Sequence, residues 1–129
     1  MRLREDLTLD AGVLSKLEKG DRLAWSLVAA GGREQDRRIT VPAAALAQAW
    51  RGHGHPNLIR ALRACELESM SPEMARRAGT LCGLAGTTDA VDAAVMASAA
   101  TRGDAVLTTD YDDMARLAGI VPSVRVIGI

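Results

Sequence analysis

At 129 residues the chain has the length of one domain, long enough to bury a core and too short for two ordinary ones. Apolar residues make up 48% and charged residues 25%, a balance that excludes a disordered tail and fits a globular protein. Sixteen acidic residues offset sixteen basic ones, so no global field draws the chain to nucleic acid or to a membrane surface.

The opening stretch MRLREDLTLD is charged and lacks the apolar centre of a signal peptide, and no apolar run reaches bilayer-spanning length. Together these predict a cytoplasmic protein. Residues 7–9 form a short β-favouring run closed by Asp10, and AGVLSKLEKGD then reads as a helix broken at Gly20. A second helix starts at Asp21 as N-cap, buries Leu23, Trp25, Leu27 and Val28, and stops at Gly31-Gly32 before a solvated loop, REQDRR. A strand is predicted over 39–41, and Pro42 suits the first turn of the helix AAALAQAWR, which runs into the loop RGHGHPN. Residues 56–64 are amphipathic through Leu58, Ile59 and Leu62, and CELESM alternates apolar and acidic residues as an edge strand does. Ser71-Pro72 opens a helix that runs out between Gly83 and Gly86, and Thr87 or Thr88 caps the alanine-rich DAVDAAVMASAATR, closed by Gly103. A strand over 105–109, a short helix over 112–118 and a last strand over 124–129 complete the chain.

Strands that keep alternating with helices imply parallel pairing in a three-layer α/β/α sandwich, and no repeat or linker divides residues 1–129. Two strands share an ending: LTLD and VLTTD both stop at an Asp where the chain leaves the sheet. The carboxyl ends of parallel strands face a common crevice, so Asp10 and Asp110 are expected to converge there. Asp89 and Asp92 lie three apart in the first turn of the alanine-rich helix, whose positive end favours anions, and can join them. Like charges within a few Å cost about a kcal/mol or more per pair at an effective dielectric of about 20. A hard divalent cation such as Mg²⁺ or Mn²⁺ relieves that repulsion and can activate water and stabilise a departing phosphate oxygen. Asp is also a common cap, so each of Asp21, Asp89, Asp110, Asp112 and Asp113 has a plain helix-start explanation. Asp92 is less easily explained that way, because Val91, Val95, Met96 and Ala99 around it look buried.

With LDAGVLSKLE, VDAAVMASAATRGDAVLTTDYDDMARLA and VRVIGI, the chain resembles the PIN-domain ribonucleases, especially the VapC-type toxins of bacterial toxin–antitoxin pairs. The C-terminal half is the specific part of the likeness. The resemblance implies a five-stranded parallel sheet, dependence on Mg²⁺ or Mn²⁺ and cleavage of RNA. It implies Asp10, Asp92 and Asp110 as metal-binding acids, with Asp113 and Asp89 as further members. It also implies a homodimer silenced by a small antitoxin whose C-terminal segment lies across the acidic crevice. One position departs from the family pattern: AAALAQAWRG places Gln48 where a Glu is usual. A neutral amide still coordinates through its carbonyl oxygen, but it is no base and holds a cation less tightly. The alternative function is therefore a PIN fold that binds RNA or a partner without cleaving.

Other constellations carry less. Arg51, beside the expected active-site helix end, either meets a phosphate or is plain surface charge. Only Lys16 and Lys19 are lysines, and the abundant arginines Arg37, Arg38, Arg60, Arg63, Arg76 and Arg77 either form a groove or solvate helices. His53 and His55 form an HxH in a Gly/Pro loop, read as exposed, and Trp25 and Trp50 read as core anchors rather than base-stacking platforms. Cys65 and Cys82 lack a metal or redox spacing. Gly12 excludes a haloacid-dehalogenase-type phosphatase, which needs a second acid there, and the absence of a late lysine excludes a receiver domain.

Overall fold

The computed structural model describes residues 5–34 and 37–129. Strand β1 (Leu7–Leu9) precedes helices α1 (Ala11–Glu18) and α2 (Arg22–Glu34), then come β2 (Ile39–Pro42), α3 (Ala43–Ala49), α4 (Pro56–Leu62) and β3 (Glu66–Glu68). Helices α5 (Pro72–Ala85) and α6 (Ala90–Arg102) follow, then β4 (Ala105–Thr108), α7 (Tyr111–Ala118) and β5 (Val126–Gly128). The strands form one five-stranded sheet in the order β3-β2-β1-β4-β5, and every pairing is parallel. The three central strands are wholly buried, the state of parallel strands covered by helices on both faces, whereas β3 is the expected edge, with its alternation reversed: Leu67 is 56% exposed and Glu68 is its most covered residue.

The chain winds outward from β1 through β2 to β3, then crosses back over the sheet to β4 and β5. The reversal puts β1 beside β4 at a topological switch point, where a crevice opens beyond the carboxyl ends of the strands. Leu9 pairs with Leu107, so Asp10 and the segment from Thr108 onward leave the sheet side by side. The Asp10 amide donates to the Leu107 carbonyl at 3.2 Å.

Helix α6 is the central helix, with every residue from Ala93 to Ala99 buried. A helix that is apolar all round is an interior helix, and its alanines let the packed backbones come close. It delivers Asp92 from its first turn to the crevice. At its other end Arg102 enters a buried polar cluster. The guanidinium donates to Asp104 Oδ2 (2.9 Å), Thr8 Oγ1 (2.9 Å), Ser98 Oγ (2.8 Å) and Glu68 Oε2. The Thr8 hydroxyl donates to the same Asp104 oxygen at 2.8 Å, and the Ser98 hydroxyl donates to Glu68 Oε1 at 2.6 Å. One side chain thus ties α6 to β1, β3 and the start of β4.

Several element ends differ from expectation. Helix α2 continues through Gly31-Gly32 to Glu34, because a helical glycine costs only about 1 kcal/mol and does not forbid the conformation. Its inner side is Ala24 and Val28, while Leu23 is 52% exposed. Of the expected loop REQDRR, residues 33 and 34 belong to α2, residues 35 and 36 lie outside the described residues, and Arg37 is buried, donating to the Leu27 carbonyl at 3.3 Å. In α4, Leu58 and Ala61 face inward and Ile59 does not. Pro42 ends β2 as the N-cap residue of α3 rather than lying in its first turn. Both α5 and α6 stop at left-handed glycines, Gly86 (φ 69°) and Gly103 (φ 74°), as the sequence predicts.

Candidate metal centre at the strand ends

Asp10 is the N-cap of α1, and its Oδ1 accepts the Val13 amide at 2.9 Å. Its other oxygen accepts the Thr108 hydroxyl, which in turn accepts the Asp110 amide at 2.8 Å. Burial pushes the Asp10 carboxyl up, and the Thr108 hydroxyl and the amides of Val13, Thr109 and Gly12 pull it back without cancelling the rise. The start of α1 lies so close to the end of β4 that a Cβ on Gly12 would fall 1.8 Å from Thr109 Oγ1 and 3.0 Å from Thr109 Cβ. Glycine is what lets these two elements approach.

Asp110 occupies the N-cap position of α7 but makes no capping bond, so its carboxylate is left for other partners. Asp113 stands in the first turn of the same helix. One carboxylate oxygen from each of Asp92, Asp110 and Asp113 lies within 4.8 Å of the others. Asp92 is half-buried and the other two are exposed. The crowding is visible in their acidities. Burial, then the charge and hydrogen bond of Asp89, then the charges of Asp10 and Asp110, push Asp92 up to about 7. Asp110 is raised first by a side-chain hydrogen bond with Asp113, then by desolvation and by the charges of Asp113 and Asp10.

Of the acids expected from the sequence, Asp92, Asp110 and Asp113 therefore meet, and Asp10 sits near enough to raise two of them. Asp89 takes the role expected of Thr87 or Thr88: it is the N-cap of α6, its Oδ1 holding the Asp92 amide at 3.0 Å, while Thr87 Oγ1 accepts the Asp89 amide at 3.1 Å. Asp89 caps because it directly precedes the first helical residue, Ala90, the place from which a side-chain oxygen reaches the third amide. Gln48 is exposed on α3, and Arg51 lies beyond that helix with its guanidinium on the Trp50 carbonyl at 2.7 Å. Of the HxH pair, His53 is exposed as expected, while His55 stacks on Trp50 with ring centroids 4.7 Å apart and accepts the Arg51 amide at 2.9 Å. Trp25 is anchored by Nε1 on the Leu17 carbonyl (2.8 Å) and lies under the Arg60 guanidinium. Cys65 and Cys82 are free thiols, and burial pushes Cys65 up to about 11, away from reactivity.

Residues that sequence reasoning passed over also shape the site. Thr108 orients Asp10 from 98 residues away, and the Thr-x-Asp spacing is the local signal for its bond to the Asp110 amide. Arg116, three residues after Asp113 on the same helix face, lines a pocket of about 120 Å³ with Thr87, Asp89, Asp92, Asp113 and Leu117. The donor set of the cluster is all oxygen, without His or Cys, and it is open on one side. Those features fit a hard divalent cation that keeps several waters, rather than zinc or copper.

No protein-family model and no curated protein matches the chain. Among solved structures it is similar to VapBC2 from Rickettsia felis, a structure bound to a DNA fragment from its promoter, with a TM-score of 0.72 at 12% identity over 95% of this chain and 98% of that one. The fold is PIN-like. PAE2754 from Pyrobaculum aerophilum is also similar, with a TM-score of 0.63 at 13% identity over 96% of this chain and 92% of that one. Among the described residues no helix is long and apolar enough to cross a membrane. In this PIN-like sheet the acids stand at the switch point between β1 and β4, where an open α/β sheet places its ligands.

Proposed function

We propose that the protein is a metal-dependent endoribonuclease of the VapC toxin type, in which Asp10, Asp92, Asp110 and Asp113 hold Mg²⁺ or Mn²⁺ and an RNA phosphodiester is hydrolysed. The observation that carries this is the gathering of three carboxylates within 4.8 Å, at least one of which resists ionisation without a counter-charge. When bound, a divalent cation supplies a more acidic water and a Lewis acid for a phosphate oxygen. The protein's own groups have distinct parts. Thr108 and the Val13 amide fix Asp10 in one orientation. Asp110 and Asp113 present carboxylates from one helix start, and Asp92, pushed up to about 7 by burial and its acidic neighbours, is the carboxyl that a bound cation would help to ionise. Asp89 holds the first turn of α6 and so the position of Asp92. A small antitoxin as partner, favoured by the likeness to VapBC2, a homodimer and a cytoplasmic location are parts of the same proposal.

Gln48 favours a second function, an RNA-binding or partner-binding module without cleavage, since a Glu at that place would bring one more charge. Titration of Mn²⁺ into wild type and Asp92→Asn, paired with cleavage of structured RNA, separates the two. Asp92→Asn should weaken Mn²⁺ binding by about 10–100-fold and abolish cleavage. Equal Mn²⁺ binding by the two proteins would overturn the metal assignment. RNA binding without cleavage under any divalent ion would select the binding module, and Gln48→Glu then tests whether the missing charge is the reason.

A further inference from the structure

An RNA strand is a polyanion, and the crevice it would have to enter is acidic. Asp10, Asp89, Asp92, Asp110 and Asp113 bring five carboxyl groups to this corner of the molecule, and one divalent cation offsets two negative charges. A phosphate arriving there still meets net repulsion unless the protein supplies positive charge of its own. Among the described residues lining the pocket beside the acids, Arg116 is the one cation.

Its side chain is exposed, and its neighbours in the pocket are acids. Arg116 projects from α7 on the face of Asp113 and shares a pocket with Asp89 and Asp92, so carboxylate partners are at hand. Yet among the described residues it makes no ion pair and no hydrogen bond. Asp89, one of those acids, is committed to the first turn of α6. The guanidinium thus borders an acidic pocket, exposed and without a carboxylate partner among the described residues. Its planar fork matches two phosphate oxygens, which an ammonium point charge does not.

We propose that Arg116 is the substrate-binding residue that grips a backbone phosphate of the RNA next to the acid cluster. The proposal takes its substrate from the nuclease function above. It places the RNA strand across the pocket between the start of α6 and the last turn of α7, with Thr87 and Leu117 as its walls.

The test uses a short fluorescein-labelled single-stranded RNA, with anisotropy measured over a salt series in Ca²⁺ and cleavage measured in parallel in Mn²⁺. Removing one phosphate contact should lower the slope of log K against log salt by about 0.7. Arg116→Gln is expected to show that loss, a several-fold weaker RNA complex and a raised KM with kcat little changed, while Mn²⁺ binding is undiminished. Arg116→Lys should restore the slope, which depends on charge, but only part of the affinity, which depends on the fork. An unchanged slope and KM in Arg116→Gln would overturn the proposal, as would a wild type that binds no RNA. A wild type that binds RNA through Arg116 but never cleaves it would uphold this contact while refuting the nuclease function.

Discussion

Asp92 is where chemistry and stability meet on a single side chain. Its carboxyl is pushed from the ordinary 3.8 up to about 7, first by burial and then by Asp89, Asp10 and Asp110. In the folded state it keeps its proton over a range in which the unfolded chain has lost it. Stability of the ion-free protein should therefore fall as pH rises from about 4 to about 7 and stay low above that. Thermal melts of metal-stripped protein are expected to give a higher Tm near pH 5 than near pH 8. Asp92→Asn should remove most of that slope, and Mn²⁺ should raise the wild-type Tm more at the higher pH. A flat Tm profile in the wild type would refute the crowding. The convergence behind this behaviour was legible in the sequence, because acids at the ends of parallel strands and at helix starts must face one edge of a sheet. The partners that tune it were not. Thr108 reaches Asp10 across 98 residues of sequence.

At the scale of elements, the closest approach in the site is between the first turn of α1 and the end of β4. Gly12→Ala puts a methyl 1.8 Å from Thr109 Oγ1, and rotating that hydroxyl away still leaves Thr109 Cβ at 3.0 Å. The two elements must part. The expected cost is about 1–3 kcal/mol in urea unfolding, with weakened Mn²⁺ binding, because Asp10 and Asp110 sit on the two elements that separate. Combining it with Thr109→Ala should recover part of the loss, and a fully stable Gly12→Ala variant would contradict the contact. Element identities were readable because their signals are local: Asp10, Asp21 and Ser71 cap helices, and Gly86 and Gly103 end them. Which side of a helix turns inward is decided by its neighbours. For that reason Leu23 and Ile59, apolar and suitably spaced, lie outside while Ala24 and Ala61 are covered.

Across the whole molecule, the acid crevice and the Arg102 cluster lie toward opposite ends of α6. Glu68 and Asp104 share the one guanidinium, whose side chain is 16% exposed beside an Asp104 that is 1% exposed. Replacing Arg102 by Met would strand two acids in a poorly solvated place, with an expected loss of about 3–5 kcal/mol. Urea denaturation should show a lower midpoint at an unchanged m-value, and a midpoint equal to wild type would show the cluster to be dispensable. The same cluster has a consequence for how copies of the chain behave in a crowded solution. Strand β3 is one of the two borders of the sheet, only three residues long, and its two glutamates are both claimed: Glu68 by Arg102 and Ser98, Glu66 by Arg38 at 3.5 Å. A stray strand seeking to zip onto that border finds a template only three residues long, its charges already paired, which gives fibril growth little to start from.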